Sequence, residues 1–174
     1  MAISLYDATV AGYLQTLGGV VGYLDRGLAH CRDNDLDPNE IVETRLYGDM
    51  LPFRFQVISI VHHSRGAIEG AKSGAFAPPS GEGMDLDYQG LQGLVADARE
   101  TLSQVTPEEV NALDGRDVTF QMRDFRIPFT AENFLLSFSL PNFHFHATTA
   151  YDILRSKGVP LGKRDYMGQL RIKA

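Results

Sequence analysis

The spacing of the histidines decides where chemistry could occur in this chain. In a helix predicted to follow Pro52, Gln56, Ile60 and His63 are separated by four and then three residues, so they share one face. Adjacent His62 is rotated by about 100° around such a helix and cannot point inward together with His63. The pattern therefore predicts that His63 faces the interior and that His62 lies at the margin of this face or in solvent.

A second polar pair occurs in the last predicted helix. Asn142 and His146 are four residues apart and share a face with Ala150. His144 lies about 200° from His146 around a helix, so these two histidines form a chelating pair only in an extended strand. If the two helices face each other, we expect His63, Asn142 and His146 to converge in the core.

Two interpretations of this cluster remain open. Metal sites in helical bundles are built from side chains on facing helices, and neutral imidazole suits zinc, nickel, iron or copper. The Asn142 amide is a weak ligand, so a carboxylate would have to join, and Asp49 is the nearest candidate. In an enzyme, Asp49 or Gln56 would orient a metal-bound water or thiol of lowered pKa. The alternative is structural: His63, Asn142 and His146 hydrogen-bond to one another or to a buried water.

The first long helix that would support this cluster is predicted from its apolar residues. They recur at alternating steps of four and three: Val10, Leu14, Leu17, Val21, Leu24, Leu28 and Cys31. Each glycine in this stretch costs about 1 kcal/mol of helix stability relative to alanine. We therefore expect packing to hold the helix and the missing side chains to let a neighbouring backbone come close.

Three further long helices are predicted. The second runs from Pro52 to about Gly74, the third begins after residues 85–87, and the last runs from residue 131 to about Lys157. Pro141 is expected to kink the last helix. Between the third and the last, residues 118–122 and 125–129 alternate apolar and polar side chains, which predicts a hairpin packed against the helices. The sequence thus predicts a mainly helical fold, an antiparallel four-helix bundle with a small hairpin before the last helix, in one domain spanning residues 1–174.

Composition excludes several classes of function. The net charge is −6 and no dense Lys/Arg cluster occurs, so nucleic acid is not an expected partner. No run of about 18 apolar residues occurs, so a membrane span is not expected. The lone Cys31 and the absence of a secretion-type start predict a cytoplasmic protein. An aromatic cluster near the C-terminal end is interpreted as core or dimer interface, with an aromatic ligand pocket as the alternative: Phe134, Phe138, Phe143 and Phe145.

Several blocks of sequence together resemble a known family. They are Ala2 to Asp7, Arg45-Leu46, Asp49 to Pro52, Gln56-Val57 leading to His63, Leu140 to Tyr151 (LPNFHFHATTAY), and Gly158 to Asp165 (GVPLGKRD). In this combination the chain resembles DUF1993, a family of domains of unknown function within the DinB/YfiT-like helical-bundle superfamily. The likeness spans nearly the whole chain.

This resemblance implies an up-down-down-up four-helix bundle that is often a homodimer. Many superfamily members bind a divalent metal through three histidines, and some are thiol-dependent transferases or isomerases. By position, His63 matches the ligand on the second helix and His146 the second ligand on the last helix, whereas Asn142 replaces the remaining histidine. The leading hypothesis is a polar core cavity that holds a divalent metal (zinc or nickel) or a small ligand, in a protein that resembles the thiol-dependent transferases. The rival is a non-catalytic homodimeric bundle, either ligand-binding or structural, without metal.

Overall fold

The fold is mainly helical with a small three-stranded sheet. The computed structural model describes residues 3–81 and 83–173. The helices in chain order are α1 (Leu5–Ala8), α2 (Val10–Asp33), α3 (Asn39–Val42), α4 (Phe53–Val61), α5 (Ala67–Ser73), α6 (Tyr88–Ser103), α7 (Pro107–Asn111), α8 (Ala131–Asn133), α9 (Leu140–Ser156) and α10 (Lys163–Met167). Two π-helical segments, π1 (His62–Gly66) and π2 (Phe134–Ser139), join α4 to α5 and α8 to α9. The long helical segments pack on one another around a single apolar core.

Helix α2 buries a face that is rotated slightly from the predicted one. Leu17, Leu24 and Cys31 are buried as expected, but Tyr13 and Tyr23 are fully buried as well. The apolar residues that lie only partly buried on this helix include Leu14, Val21 and Leu28. The aliphatic pattern located the helix correctly, but it missed the tyrosines because a tyrosine has both an apolar ring and a polar hydroxyl, so its type alone does not assign it to a buried face.

The predicted close approach to a glycine of α2 is confirmed at Gly19. A β-carbon built there would lie 2.4 Å from the Tyr166 carbonyl oxygen of α10. The hydrogen bond from the Gln15 side chain to the Met167 carbonyl (3.0 Å) fixes the same contact. The glycine therefore lets the C-terminal helix pack directly on the α2 backbone.

The helix predicted from Pro52 to Gly74 is interrupted at π1. Within this segment the Ser64 hydroxyl donates to the Ile60 carbonyl four residues earlier (2.7 Å). Such back-bonding competes with the backbone N–H groups for that carbonyl and distorts the regular turn. The wider turn shifts the register of the residues that follow, and it is the turn that carries His62 and His63.

The last long helix is distorted in a comparable way at π2. Pro141 has no backbone N–H, so it cannot donate to the Ser137 carbonyl four residues earlier. The Ser137 hydroxyl itself bonds to the Asn133 carbonyl, as Ser64 does in π1. The kink expected at Pro141 is accommodated by the π-helical turns immediately before it.

The predicted hairpin is confirmed. Strands β2 (Asp117–Met122) and β3 (Phe125–Thr130) pair antiparallel, with Val118 opposite Phe129. A short strand β1 (Ala75–Phe76), which the sequence did not predict, pairs parallel to β2. The sheet packs its aromatic side chains on π2, with the Phe76 and Phe134 ring centroids 4.9 Å apart.

Within residues 3–81 and 83–173, no helix is long and apolar enough to cross a membrane.

Candidate functional site

His63 lies where π1 meets π2. Its side chain is only 7% exposed, and its Nδ1 atom lies 3.1 Å from the Ser139 hydroxyl. The rings of Phe76 and Phe138 flank it at centroid distances of 5.5 and 5.8 Å. The predicted inward orientation of His63 is therefore found in the fold.

His146 approaches from α9 and is partly buried. Its Nδ1 lies 2.8 Å from Gln56 Oε1, and the Gln56 amide nitrogen donates to the Leu51 carbonyl at 2.8 Å. Because that second bond fixes which end of the amide is oxygen, His146 must be the donor and must hold its proton on Nδ1. The sequence paired Gln56 with His63 on one face, whereas the hydrogen bond of Gln56 goes to His146.

The two imidazole rings meet at the junction of α4, π1 and α9. Their centroids are 5.9 Å apart and their planes differ by 14°. Both Nδ1 atoms are engaged by protein side chains, and neither Nε2 atom has a hydrogen-bond partner among the described residues. The Nε2 atoms are thus the nitrogens of this pair whose hydrogen-bonding capacity the described protein groups leave unused.

Burial keeps both rings neutral. Removal from water lowers the pKa of His63 to about 3, with smaller contributions from His62 and His146. Removal from water, followed by the charge on His62, lowers the pKa of His146 to about 4. At neutral pH the site offers uncharged imidazoles, which can accept or donate hydrogen bonds or act as bases.

The two remaining predicted site residues do not join the pair of histidines: Asn142 hydrogen-bonds within its own helical segment, and Asp49 is exposed. Asn142 is partly buried, and its amide nitrogen donates to the Phe138 carbonyl (2.7 Å) within its own helical segment. Asp49 lies in an exposed turn before α4. Within the described parts of the chain, no group of three or more His, Cys, Asp or Glu side chains could hold a metal ion. Zinc in proteins takes at least three protein ligands, so two imidazoles and a committed amide do not fit a resident metal of the three-histidine kind.

A cavity of about 450 Å³ lies beside His62. The Nε2 atom of His62 lies 2.7 Å from the Ala77 carbonyl oxygen, and its ring stacks on that of Phe76 with the centroids 4.3 Å apart. Arg65, Gly66 and the 75–80 loop contribute to the lining, whereas His63, Asn142 and His146 do not. The expected marginal position of His62 is found, but it borders a cavity rather than open solvent.

Tyr13 and Ser139 belong to the site and were missed by the sequence analysis. The Tyr13 side chain is fully buried, and its hydroxyl makes no hydrogen bond of standard geometry within the described residues. Burial raises the pKa of Tyr13 far above its usual range, and the Ser139 side chain is the polar group that still interacts with it. Spacing could have indicated Ser139, because it precedes His146 by seven residues and so shares its helical face.

Comparisons with known proteins bear on family and fold. A sequence profile with the description "Domain of unknown function (DUF1993)" matches residues 5–167. The crystal structure of a DinB family member protein from Shewanella denitrificans superposes with a TM-score of 0.80 at 24% identity, over 98% of this chain and 95% of that one. At that identity the likeness shows the fold alone. No curated protein matches the chain.

Proposed function

The chain belongs to the DUF1993 family, whose name assigns no activity, and we propose from the site itself that the protein binds a small neutral ligand between His63 and His146. The observation that carries the proposal is the pair of neutral imidazoles whose centroids are 5.9 Å apart. Each is oriented through Nδ1 by a protein side chain, which leaves Nε2 for a ligand.

The difference in burial between the two rings supports a path for the ligand. His63 is 7% exposed and forms the inner end of the site, whereas His146 is partly buried and forms the outer end. The Phe55 and Phe145 rings flank His146 at centroid distances of 5.9 and 5.3 Å, and Phe145 is 57% exposed. A ligand would therefore enter past aromatic side chains, which favours a molecule with an apolar part and one polar group.

The absence of charge in the site favours a neutral ligand. Neutral imidazoles give no Coulomb attraction to an anion, and protonating them to bind one would oppose the burial that lowers the pKa of each ring. A ligand that hydrogen-bonds to Nε2 leaves both imidazoles neutral, so its binding requires no protonation of a buried ring.

The test is ligand-observed NMR with a panel of small neutral aromatic alcohols, amides and ketones. We expect hits for the wild type that are lost in His146→Ala and His63→Ala. The matched control is His30→Ala, because His30 lies on α2 and bonds to Asn34 outside the site. A panel without hits, or hits that persist in both site variants, would contradict the proposal.

A divalent metal remains the competing prediction, and elemental analysis of protein purified without a histidine tag tests it. The orientation of His146 by an amide oxygen on Nδ1 is of the kind seen around metal-ligating histidines. We expect less than stoichiometric zinc and nickel, because the site supplies two imidazoles. Stoichiometric metal that disappears in His63→Ala and His146→Ala would show that the site is a metal centre and would contradict the small-ligand proposal.

Other parts of the sequence-based hypothesis stay predictions: the thiol-dependent transferase activity, the homodimer, the cytoplasmic location and the up-down-down-up connectivity. The homodimer gains support from apolar side chains exposed near the outer end of the site, Leu51 at 48% and Phe145 at 57%. Sedimentation equilibrium tests it directly, and a monomer at micromolar concentration would contradict it.

A further inference from the structure

The hydroxyl of Ser139 bonds differently from those of Ser64, Ser137 and Ser156. Ser64, Ser137 and Ser156 each donate to a carbonyl three or four residues earlier in their own helical segment. Ser139 is fully buried and makes no such bond among the described residues, and its hydroxyl contacts His63 Nδ1 at 3.1 Å. Among residues 3–81 and 83–173, the acceptor found at hydrogen-bond distance from the Ser139 hydroxyl is this imidazole nitrogen.

Tyr13 helps to determine which group donates and which accepts in the hydrogen bond between Ser139 and His63. Its buried phenol keeps its proton and needs an acceptor, and Ser139 is the polar side chain that interacts with it. If Tyr13 donates to Ser139 and Ser139 donates to His63, both hydroxyl protons have an acceptor. If His63 instead donated from Nδ1, it would no longer offer an acceptor, and one of the two hydroxyl protons, that of Ser139 or that of Tyr13, would have none, an arrangement that buried polar groups avoid.

We infer that the two histidines are held in opposite tautomers: His63 carries its proton on Nε2 and donates into the site, while His146 carries its proton on Nδ1 and accepts there. Gln56 fixes the second tautomer, since its Oε1 accepts from His146 Nδ1 at 2.8 Å. Tyr13, Ser139 and Gln56 are positioning residues that act through the two imidazoles.

Opposite tautomers specify the chemistry of the ligand. A neutral hydroxyl can accept from His63 and donate to His146 through one oxygen atom, which has both a proton and lone pairs, whereas an amide needs two separate atoms to do so. An ether only accepts, a hydrocarbon does neither, and a carboxylate cannot donate. This deepens the proposed function and rests on it: the small neutral ligand is an alcohol, held by its hydroxyl between the rings with its apolar part toward Phe55 and Phe145.

The tautomers can be measured without any ligand, by long-range ¹H–¹⁵N NMR correlation on protein labelled with ¹⁵N-histidine. We expect His63 protonated on Nε2 and His146 protonated on Nδ1. In Ser139→Ala, His63 should lose its single tautomer, and Tyr13→Phe should give a smaller change in the same direction. Ser156→Ala is the matched control, and it should leave both rings unchanged because its hydroxyl bonds within its own helix.

Benzyl alcohol, benzyl methyl ether and toluene then test the ligand class. We expect benzyl alcohol to bind about tenfold more tightly than toluene, with the ether between them, since each hydrogen bond to the site contributes roughly 0.5–1.5 kcal/mol. Both histidines protonated on Nδ1, or equal affinities for the three compounds, would overturn the inference. The proposed function would survive that result if the compounds still bound, and it would fall only if none of them bound at the histidines.

Discussion

Burial of two imidazoles makes the stability of this protein depend on pH. The pKa of His63 is lowered to about 3 and that of His146 to about 4, from the usual 6.5. Below pH 6.5 the two histidines bind protons in the unfolded chain but not in the folded chain. The stability that they contribute is therefore full above pH 6.5 and is lost as the pH falls toward about 4 for His146 and about 3 for His63.

The first prediction is that acidification from pH 6.5 to pH 5 lowers the free energy of unfolding, with up to about 2 kcal/mol coming from His63. Urea unfolding at several pH values measures this change. His63→Gln removes the titrating group, so the dependence should become shallower in that variant. An unchanged dependence would contradict the pKa assigned to His63.

Gln56 carries a second prediction at the scale of single residues. Replacement by leucine removes the acceptor for His146 Nδ1 and leaves a partly buried N–H without its partner. We expect the free energy of unfolding to fall by about 1–3 kcal/mol. Gln121→Leu is the control, because Gln121 lies exposed on β2 and should change stability by no more than about 0.5 kcal/mol. Equal losses in the two variants would show that the hydrogen bond contributes nothing specific.

At the scale of elements, the glycines of α2 separate intrinsic helix propensity from packing. Gly22 has open space around its α-carbon, whereas a β-carbon at Gly19 would lie 2.4 Å from the Tyr166 carbonyl oxygen. The two positions belong to the same helix, three residues apart, so their backbone propensities are comparable.

We therefore predict opposite signs for the same substitution. Gly22→Ala should stabilise by up to about 1 kcal/mol, because alanine loses less backbone entropy on folding. Gly19→Ala should destabilise by about 1–3 kcal/mol, because α10 must move away from α2. Thermal unfolding of the two variants checks this, and stabilisation by both would mean that α10 does not pack on α2 in solution.

At the scale of the whole molecule, the C-terminal segment closes the fold over α2. Tyr166 packs on Tyr151 with centroids 6.1 Å apart, its hydroxyl lies 3.2 Å from His144 Nδ1, and Arg26 pairs with Asp165 at 3.3 Å. Residues 169–173 beyond this segment are exposed.

Truncation distinguishes the two parts of the tail. A chain ending at Gly162 loses α10, and we expect its Tm to fall by several degrees because each 1 kcal/mol shifts the Tm of a domain of this size by about 2–4 °C. A chain ending at Gly168 keeps α10 and should unfold within about 2 °C of the full chain. A large fall in both would place the stabilising contacts in the exposed residues instead.

The sequence by itself determined where the long helices and the hairpin form and that His63 and His146 face inward. Helical spacing placed His63 and His146 on inward faces, and alternation located the hairpin. The glycines of the first long helix indicated a close backbone contact, and the structure shows it at Gly19. These features follow from periodicity and from the size of single side chains, which are local properties of the chain.

The tertiary structure alone decided which polar groups meet. His63, which lies in a π-helical turn, contacts Ser139. Gln56 bonds to His146, ninety residues away, and not to His63, with which it shares a helical face. The involvement of Tyr13 and the exposure of Asp49 have the same origin. Hydrogen-bond partners across a core depend on the register of two helices to within a fraction of a turn. That register is set by packing between segments distant in the chain, which no local pattern encodes.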